Sequence, residues 1–306
     1  MTQPFFSIII PTYNRSRFIT KAIESVMNQT FTHWELIIID DGSKDDTKEV
    51  IERYIQKDNR ITYYYQTNAE RSAARNHGIS KAKGQWVNFL DSDDYYLTNH
   101  LQNFYTFLEK NNFNKGLYFC GIILETGAKK EFVDTYKTNN ANDIEFVFEN
   151  ILATPRACVS KNILDNYKFD TKLSVGEDTE LWVRIAENNK VFFESFTSLV
   201  QVNHDQRTVT MNDFASSIDN LVTLKNILKL NASKRISFSK KRIALSNAYF
   251  SVGLHHLFKK RRFKALFYFS KSLISKIKHP QAKFKLNIIL QLISFREMKK
   301  ILVICQ

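Results

Sequence analysis

The chain has 306 residues, which is long for one small core, and a hydrophobic fraction of 43% that excludes a wholly disordered chain. Its net charge of +13 is unevenly placed: residues 221–306 carry 20 Lys and Arg against one acid, Glu297, whereas residues 1–220 carry 24 basic and 30 acidic residues, so two parts with different partners are expected. Cys120, Cys158 and Cys305 lie far apart with no CxxC pair, which argues against a cysteine zinc site or a disulfide framework and fits a reducing compartment.

Phe5–Ile10 is a short apolar run closed by Pro11, the pattern of a buried strand. It is too short, and lacks the basic flank, for a signal peptide. Arg17 to Asn28 places Phe18, Ile19, Ala22, Ile23, Val26 and Met27 at helical spacing. Trp34–Ile39 is a second strand, ended by Asp40-Asp41-Gly42-Ser43. Lys44 to Gln56 is a helix, Ile61–Tyr65 a third strand, and Ser72–Ala82 a helix. Trp86–Leu90 is a fourth strand, ended by Asp91-Ser92-Asp93-Asp94.

Strands alternating with helices predict a parallel sheet with crossover helices. Ligands bind such sheets beyond the carboxyl ends of the strands. The polar clusters Pro11-Thr12-Tyr13-Asn14, Asp40-Asp41-Gly42-Ser43 and Asp91-Ser92-Asp93-Asp94 sit at those ends and define one candidate site.

Between residues 99 and 205 the pattern is mixed. Leu117–Leu124, Lys130–Tyr136, Val191–Phe196 and Leu199–Val202 read as strands, and Thr179 to Asn188 as a helix. A boundary is expected between residues 206 and 222, where the charge flips. Beyond it the pattern is helical, and Ala244, Ala248, Tyr249, Gly253, Ala265, Phe269 and Leu273 are spaced like one tetratricopeptide-like helix–turn–helix. Leu286 to Phe295 is too short an apolar stretch to span a bilayer. The expected divisions are 1–98, 99–215 and 216–306.

Two aspartates at i and i+2, Asp91 and Asp93, suit a divalent cation that neutralises a diphosphate leaving group, because hard cations prefer carboxylate oxygens. The bland alternative is a helix N-cap by Asp93 or Asp94. Asp40 can accept from a uracil imide N–H, with Ser43 or Asp45 capping the following helix. Arg71 opens a helix whose N-terminus favours anions, whereas Arg75, one turn on, reads as a solvated charge. Asp178, in Gly176-Glu177-Asp178, can serve as a general base or as a helix cap, and the pattern alone does not choose. His204 is a metal-ligand candidate only if the fold brings its loop over the Asp91–Asp93 turn, where Arg207 could then clamp a phosphate. His255-His256 is expected at the surface.

Ser7-Ile8-Ile9-Ile10-Pro11-Thr12-Tyr13-Asn14, Trp34 to Ser43, Ala73 to Ile79, Gly84 and Phe89 to Asp94, and Gly176-Glu177-Asp178 together resemble the inverting glycosyltransferases of family 2. The resemblance is close over residues 5–98 and looser to about 207. It implies an α/β chain of the GT-A fold, a Rossmann-like nucleotide-binding half with a mixed sheet, followed here by a basic α-helical C-terminal region. It implies transfer of a sugar from a nucleoside diphosphate donor, UDP by family habit, to a glycan or lipid-linked acceptor of surface polysaccharide. It also implies roles: Pro11, Thr12, Tyr13, Asn14, Asp40, Arg71, Asp91, Ser92 and Arg207 at the donor, Asp93 and His204 on a manganese or magnesium ion, and Asp178 as base. The basic segment 225–306 is expected to touch an anionic membrane at the inner cytoplasmic face. A nucleotidyltransferase would carry a Gly-rich loop after the first strand, which Pro11-Thr12-Tyr13-Asn14 is not. A nucleic-acid-binding scaffold would fit the basic end, but that end holds no recognised nucleic-acid motif, and no nucleic acid is expected.

Overall fold

A computed structural model of the protein describes residues 3–133, 142–150, 152–204 and 216–275. The chain divides into two compact units, Met1–Gln206 and Arg207–Gln306.

The first unit is built on one mixed sheet. Its strands β1 (Phe6–Thr12), β2 (Trp34–Asp40), β3 (Ile61–Tyr65) and β4 (Trp86–Phe89) are parallel and ordered β3-β2-β1-β4. Helices α1 (Ile19–Met27), α2 (Thr47–Ile55) and α3 (Glu70–Lys81) connect them. Ile8, Ile9 and Ile10 and Leu36 to Ile39 are buried without alternation, because a central parallel strand hides both faces. Thr12 pairs with Asp40, and Ile9 with Phe89, so the ends of β1, β2 and β4 open onto one rim.

Beyond β4 the sheet is mixed, with one long parallel pairing among antiparallel ones. The strands β5 (Tyr95–Tyr96), β6 (Gly116–Thr126), β7 (Lys129–Val133), β8 (Ala157–Ser160) and β9 (Lys190–Val202) extend it as β4-β8-β6-β9-β5, with β7 on the side of β6. Helices α4 (His100–Lys110), α5 (Asp143–Glu149), α6 (Lys161–Asn166) and α7 (Glu177–Ala186) complete the unit. Val191–Phe196 and Leu199–Val202, read as two strands, form the single strand β9; its pairing with β6 shifts register on either side of Gly121. The Lys130–Tyr136 strand begins at Lys129, and its residues after Val133 lie outside those described. No helix follows the Asp91-Ser92-Asp93-Asp94 turn directly. Short β5 comes first and α4 starts only at His100, so the capping alternative for that turn does not hold.

The second unit contains α8 (Ser217–Lys229), α9 (Phe238–Phe258) and α10 (Arg262–Ser275). α9 and α10 form a hairpin with a close crossing, where Ser246 Oγ donates to Ser272 O at 2.8 Å and Ser272 Oγ donates to Ser246 O at 2.7 Å. Gly253 faces the Phe269 ring so closely that a Cβ would lie 2.5 Å from it. His256, expected at the surface, is instead buried and stacked on Tyr268, with ring centroids 5.3 Å apart. Its place on the α9 face turned towards α10 explains the difference. Among the described residues no helix is long and apolar enough to cross a membrane.

Gly78 decides how closely α3 approaches β1. A Cβ there would stand 2.4 Å from Ile9 Cγ2, inside a packed core. Overpacking costs about 1–3 kcal/mol, against the ~1 kcal/mol that alanine returns in helix propensity. Gly78→Ala is therefore expected to lower the urea unfolding midpoint, by a net loss of up to about 2 kcal/mol. An unchanged midpoint would show that α3 does not press on β1 as described.

Candidate active site

The ends of β1 and β2 are laced together. Asn14 adopts a left-handed backbone (φ +51°) that an Asn tolerates better than most residues. Its N–H donates to Ser43 Oγ at 2.9 Å, and its Oδ1 accepts from Lys44 N at 2.8 Å. Pro11 is half-buried, Thr12 is buried with an unpartnered Oγ1, and Tyr13 is exposed at the rim. Asp40 is 1% exposed. Its Oδ1 accepts from Ser43 N at 2.8 Å and its Oδ2 from the Tyr63 hydroxyl at 2.8 Å. Burial, and then the Asp40 carboxylate, push the Tyr63 phenol up, so it stays a donor. Asp41 Oδ1 accepts from Gln66 Nε2 at 2.7 Å and Ala69 N at 2.9 Å, fixing the approach to α3. Asp45, beside Thr47 at the start of α2, accepts from Thr47 N at 3.2 Å.

The turn after β4 is closed by Asp94 N donating to Asp91 O at 3.1 Å, with Ser92 buried at its tip. Asp94 Oδ1 accepts from Val202 N at 3.0 Å, which ties the turn to the end of β9. That tie delivers His204, two residues on, to the turn. His204 Nε2 lies 3.1 Å from Asp93 Oδ2, and the ring stacks on Phe18 at 4.5 Å. The condition set for His204 as a ligand candidate is thus met in geometry. Arg207, expected to join it, lies outside the described residues.

Arg75 is where the sequence reading fails. Expected in solvent, it is 4% exposed. Its two terminal nitrogens reach Glu177 Oε1 at 2.9 Å and Asp91 Oδ1 at 3.0 Å, and its guanidinium carbon stands 5.5 Å from the centre of the Phe169 ring. The signal was present: Ser72, Arg75 and Ile79 fall at i, i+3 and i+7, the spacing of an inward helical stripe. Asn76 adds a backbone clamp, donating to Phe169 O at 2.9 Å and accepting from Phe169 N at 2.9 Å. Arg71 is half-buried at the start of α3 and has no ion pair among the described residues.

Gly176 takes a left-handed backbone (φ +75°) and leads directly into α7, placing Glu177 and Asp178 in the first turn. Glu177 is 5% exposed and held by Arg75. Asp178 Oδ1 accepts from Thr179 N at 2.6 Å. Its carboxyl is pushed up to about 6, first by burial and then by the Glu177 charge, with Arg75 pulling the other way. A carboxylate titrating there is matched to proton abstraction near neutral pH.

A mixed sheet with an acidic turn at its rim and a carboxylate at the start of α7 has the arrangement of the GT-A fold. The model of glycosyl transferase family 2 matches residues 7–147. An uncharacterized glycosyltransferase of Methanocaldococcus jannaschii is 32% identical over 199 residues, 63% of this chain and 68% of that protein. An uncharacterized glycosyltransferase of Rickettsia bellii is 34% identical over 183 residues, covering 60% of this chain and 26% of that protein. The GalNAc(5)-diNAcBac-PP-undecaprenol beta-1,3-glucosyltransferase of Campylobacter jejuni is 31% identical over 196 residues, 62% of each chain. The chain belongs to glycosyltransferase family 2. It spans about a quarter to a third of the length of its relatives in Rickettsia bellii, Rickettsia felis and Rickettsia conorii. Two solved structures share the fold. Staphylococcus aureus TarS 1-349 in complex with UDP-GlcNAc aligns with TM-score 0.62 at 18% identity, covering 90% of this chain and 93% of that one. The Pyrobaculum calidifontis mannosyltransferase PcManGT, in complex with GDP-Man and Mn2+, aligns with TM-score 0.60 at 18% identity, covering 95% and 81%.

Breaking a buried ion pair from one side costs about 3–5 kcal/mol. Arg75→Met, which keeps most of the volume, should therefore destabilise the fold by an amount of that order in chemical denaturation. A loss below ~1 kcal/mol would mean that Arg75 is solvated and its ion pairs are screened by water.

Proposed function

We propose that the chain is an inverting glycosyltransferase. It moves a sugar from a nucleoside diphosphate donor, a UDP-sugar by preference, onto a hydroxyl of a glycan or lipid-linked acceptor in surface polysaccharide assembly. The observation that carries this is the Arg75 bridge, which holds the donor turn at Asp91 and the base helix at Glu177 in one site.

The donor nucleotide lies along Pro11, Thr12, Tyr13, Asn14 and Asp40, with Asp91 and Ser92 at the ribose or sugar and Arg71 on the diphosphate. Arg71 suits that role because no carboxylate neutralises it among the described residues. Arg207 is proposed beside the diphosphate from sequence alone.

A divalent cation fits Asp93 and His204. Their facing atoms are 3.1 Å apart. Two neighbouring ligands of an octahedral cation with bonds of about 2.0–2.1 Å stand roughly 3 Å apart. The pair supplies one carboxylate oxygen, which suits manganese or magnesium, and one imidazole nitrogen, which favours manganese, the softer of the two. When bound, the ion would neutralise charge on the leaving diphosphate. No cluster of three or more protein ligands occurs among the described residues, so the donor's own phosphates would complete the shell.

Asp178 takes the proton of the acceptor hydroxyl as its oxygen attacks the anomeric carbon; the bond from that carbon to the diphosphate breaks on the opposite face, and the configuration inverts. Glu177 and Arg75 set the position and proton affinity of Asp178 without touching the acceptor. The undecaprenol-linked substrate of the Campylobacter relative, the UDP-GlcNAc complex of TarS and the Mn2+ complex of PcManGT support the acceptor, donor and metal classes respectively. The site works at the cytoplasmic face of the membrane that carries such acceptors, and the basic segment from residue 225 holds it there.

Asp178→Asn should leave donor binding intact and slow transfer by about 10²–10⁴-fold; undiminished transfer would remove it as the base. Transfer needs the carboxylate, so kcat/KM should fall as pH drops through about 6, the value to which burial and Glu177 raise Asp178. Glu177→Gln removes one upward influence and should move that limb to lower pH. A limb near 4, the ordinary Asp range, would contradict the assignment.

A further inference from the structure

The transfer chemistry makes no use of α10. Ala265, Phe269 and Ser272 are buried against α9, which accounts for one face. A helix of a water-soluble unit normally turns polar residues outward on the other face. Here the outward side carries Phe263, 90% exposed, with Phe267 at 52% and Ile274 at 70%. At about 100° per residue these three fall within roughly 40° of one another, opposite Ala265 and Ser272.

The rim of this stripe is basic. Lys264 and Lys271 flank it along one side, and Lys271 Nζ stands 4.4 Å from the centre of the Phe267 ring. Lys259, Lys260, Arg261 and Arg262 crowd the turn just before it. Residues 216–275 hold thirteen Lys and Arg against one acid, Asp219. A shallow groove lined by His256, Phe263, Lys264, Phe267 and Tyr268 runs beside the stripe.

We propose that this outward face of α10, with Phe263, Phe267 and Ile274 framed by the basic residues of 259–271, docks on an anionic phospholipid bilayer. Charge selects the occupant: one acid against thirteen bases calls for a surface dense in negative charge, which phosphate headgroups supply. Three apolar side chains projecting from a single convex helix face then enter the boundary between headgroups and acyl chains, while Lys and Arg stay at the phosphates. The proposal locates the membrane contact suggested above and rests on that part of the reading alone. The vesicle experiment contains no nucleotide sugar, so its failure is separable from failure of the transferase reading.

The full chain is mixed with vesicles of phosphatidylcholine, alone or blended with phosphatidylglycerol, and sedimented. It should pellet with the blended vesicles only, less so at high salt. Phe263→Ser/Phe267→Ser/Ile274→Ser, all at exposed positions, should weaken partitioning at least ~tenfold. Lys259→Gln/Lys260→Gln/Arg261→Gln should do the same. Phe263→Trp should keep binding, and the emission it adds to that of the wild type should shift to the blue with blended vesicles alone, a readout that needs no destabilising change. Circular dichroism and the urea unfolding midpoint verify the fold of each variant. The proposal is overturned if the wild-type chain ignores phosphatidylglycerol, if the triple serine variant binds as wild type does, or if the added emission of the Phe263→Trp variant does not move. A wild-type dimer that the serine variant abolishes would overturn it in favour of a second copy on this face.

Discussion

A guanidinium buried to 4% exposure is the constraint from which the rest of the first unit follows. Such a charge is tolerated inside a protein when carboxylates or carbonyl oxygens meet its donors in good geometry. Arg75 meets two, Asp91 and Glu177, from segments 16 and 102 residues away in sequence. Its planar fork makes this possible, since a lysine ammonium offers no pair of fixed, divergent donors. The strand-end turn and the start of α7 are thereby held at a fixed separation. The proposed displacement, with a leaving group and a base on opposite sides of one carbon, needs that kind of fixed spacing.

The scaffold makes the bridge reachable. Pairing of β1 with β2 and β4 brings three polar strand ends to one rim, and Gly78 lets α3 lie close on β1. Asp94 fastens the rim to the end of β9, so that His204 arrives beside Asp93. The same surroundings tune the chemistry. Burial raises the Asp178 carboxyl, Glu177 raises it further and Arg75 restrains it. One buried network therefore sets both the position of the candidate base and its readiness to accept a proton.

The sequence made the parallel half legible because its signals are local. Uninterrupted isoleucine runs, turn aspartates and helical spacing each act within a few residues, and β1 to β4 with α1 to α3 lie where those signals put them. The half beyond β4 is harder to read. β8 has only four residues, β5 two, and neither carries a periodicity of its own. Capping by Asp93 or Asp94 would start a helix directly after the turn, but β5 intervenes and α4 begins only at His100, where Leu101, Phe104 and Leu108 take up helical spacing. The expected site residues that are described lie on the first unit, with Asp93 beside His204. The roles of Arg75 and Glu177 were hidden because burial of a charge is decided by partners distant in sequence. The inward stripe of α3 was the one local hint.

The account stands most directly on whether the rim binds a nucleoside diphosphate through a metal. Calorimetric titration of the full chain with UDP, GDP, CDP and dTDP, each with and without manganese, measures this. The account predicts saturable binding of UDP that needs manganese and is lost in Asp93→Ala, with Arg75 and Asp178 intact. Folded protein that binds none of the four, or that binds UDP equally well without metal and in Asp93→Ala, would contradict it.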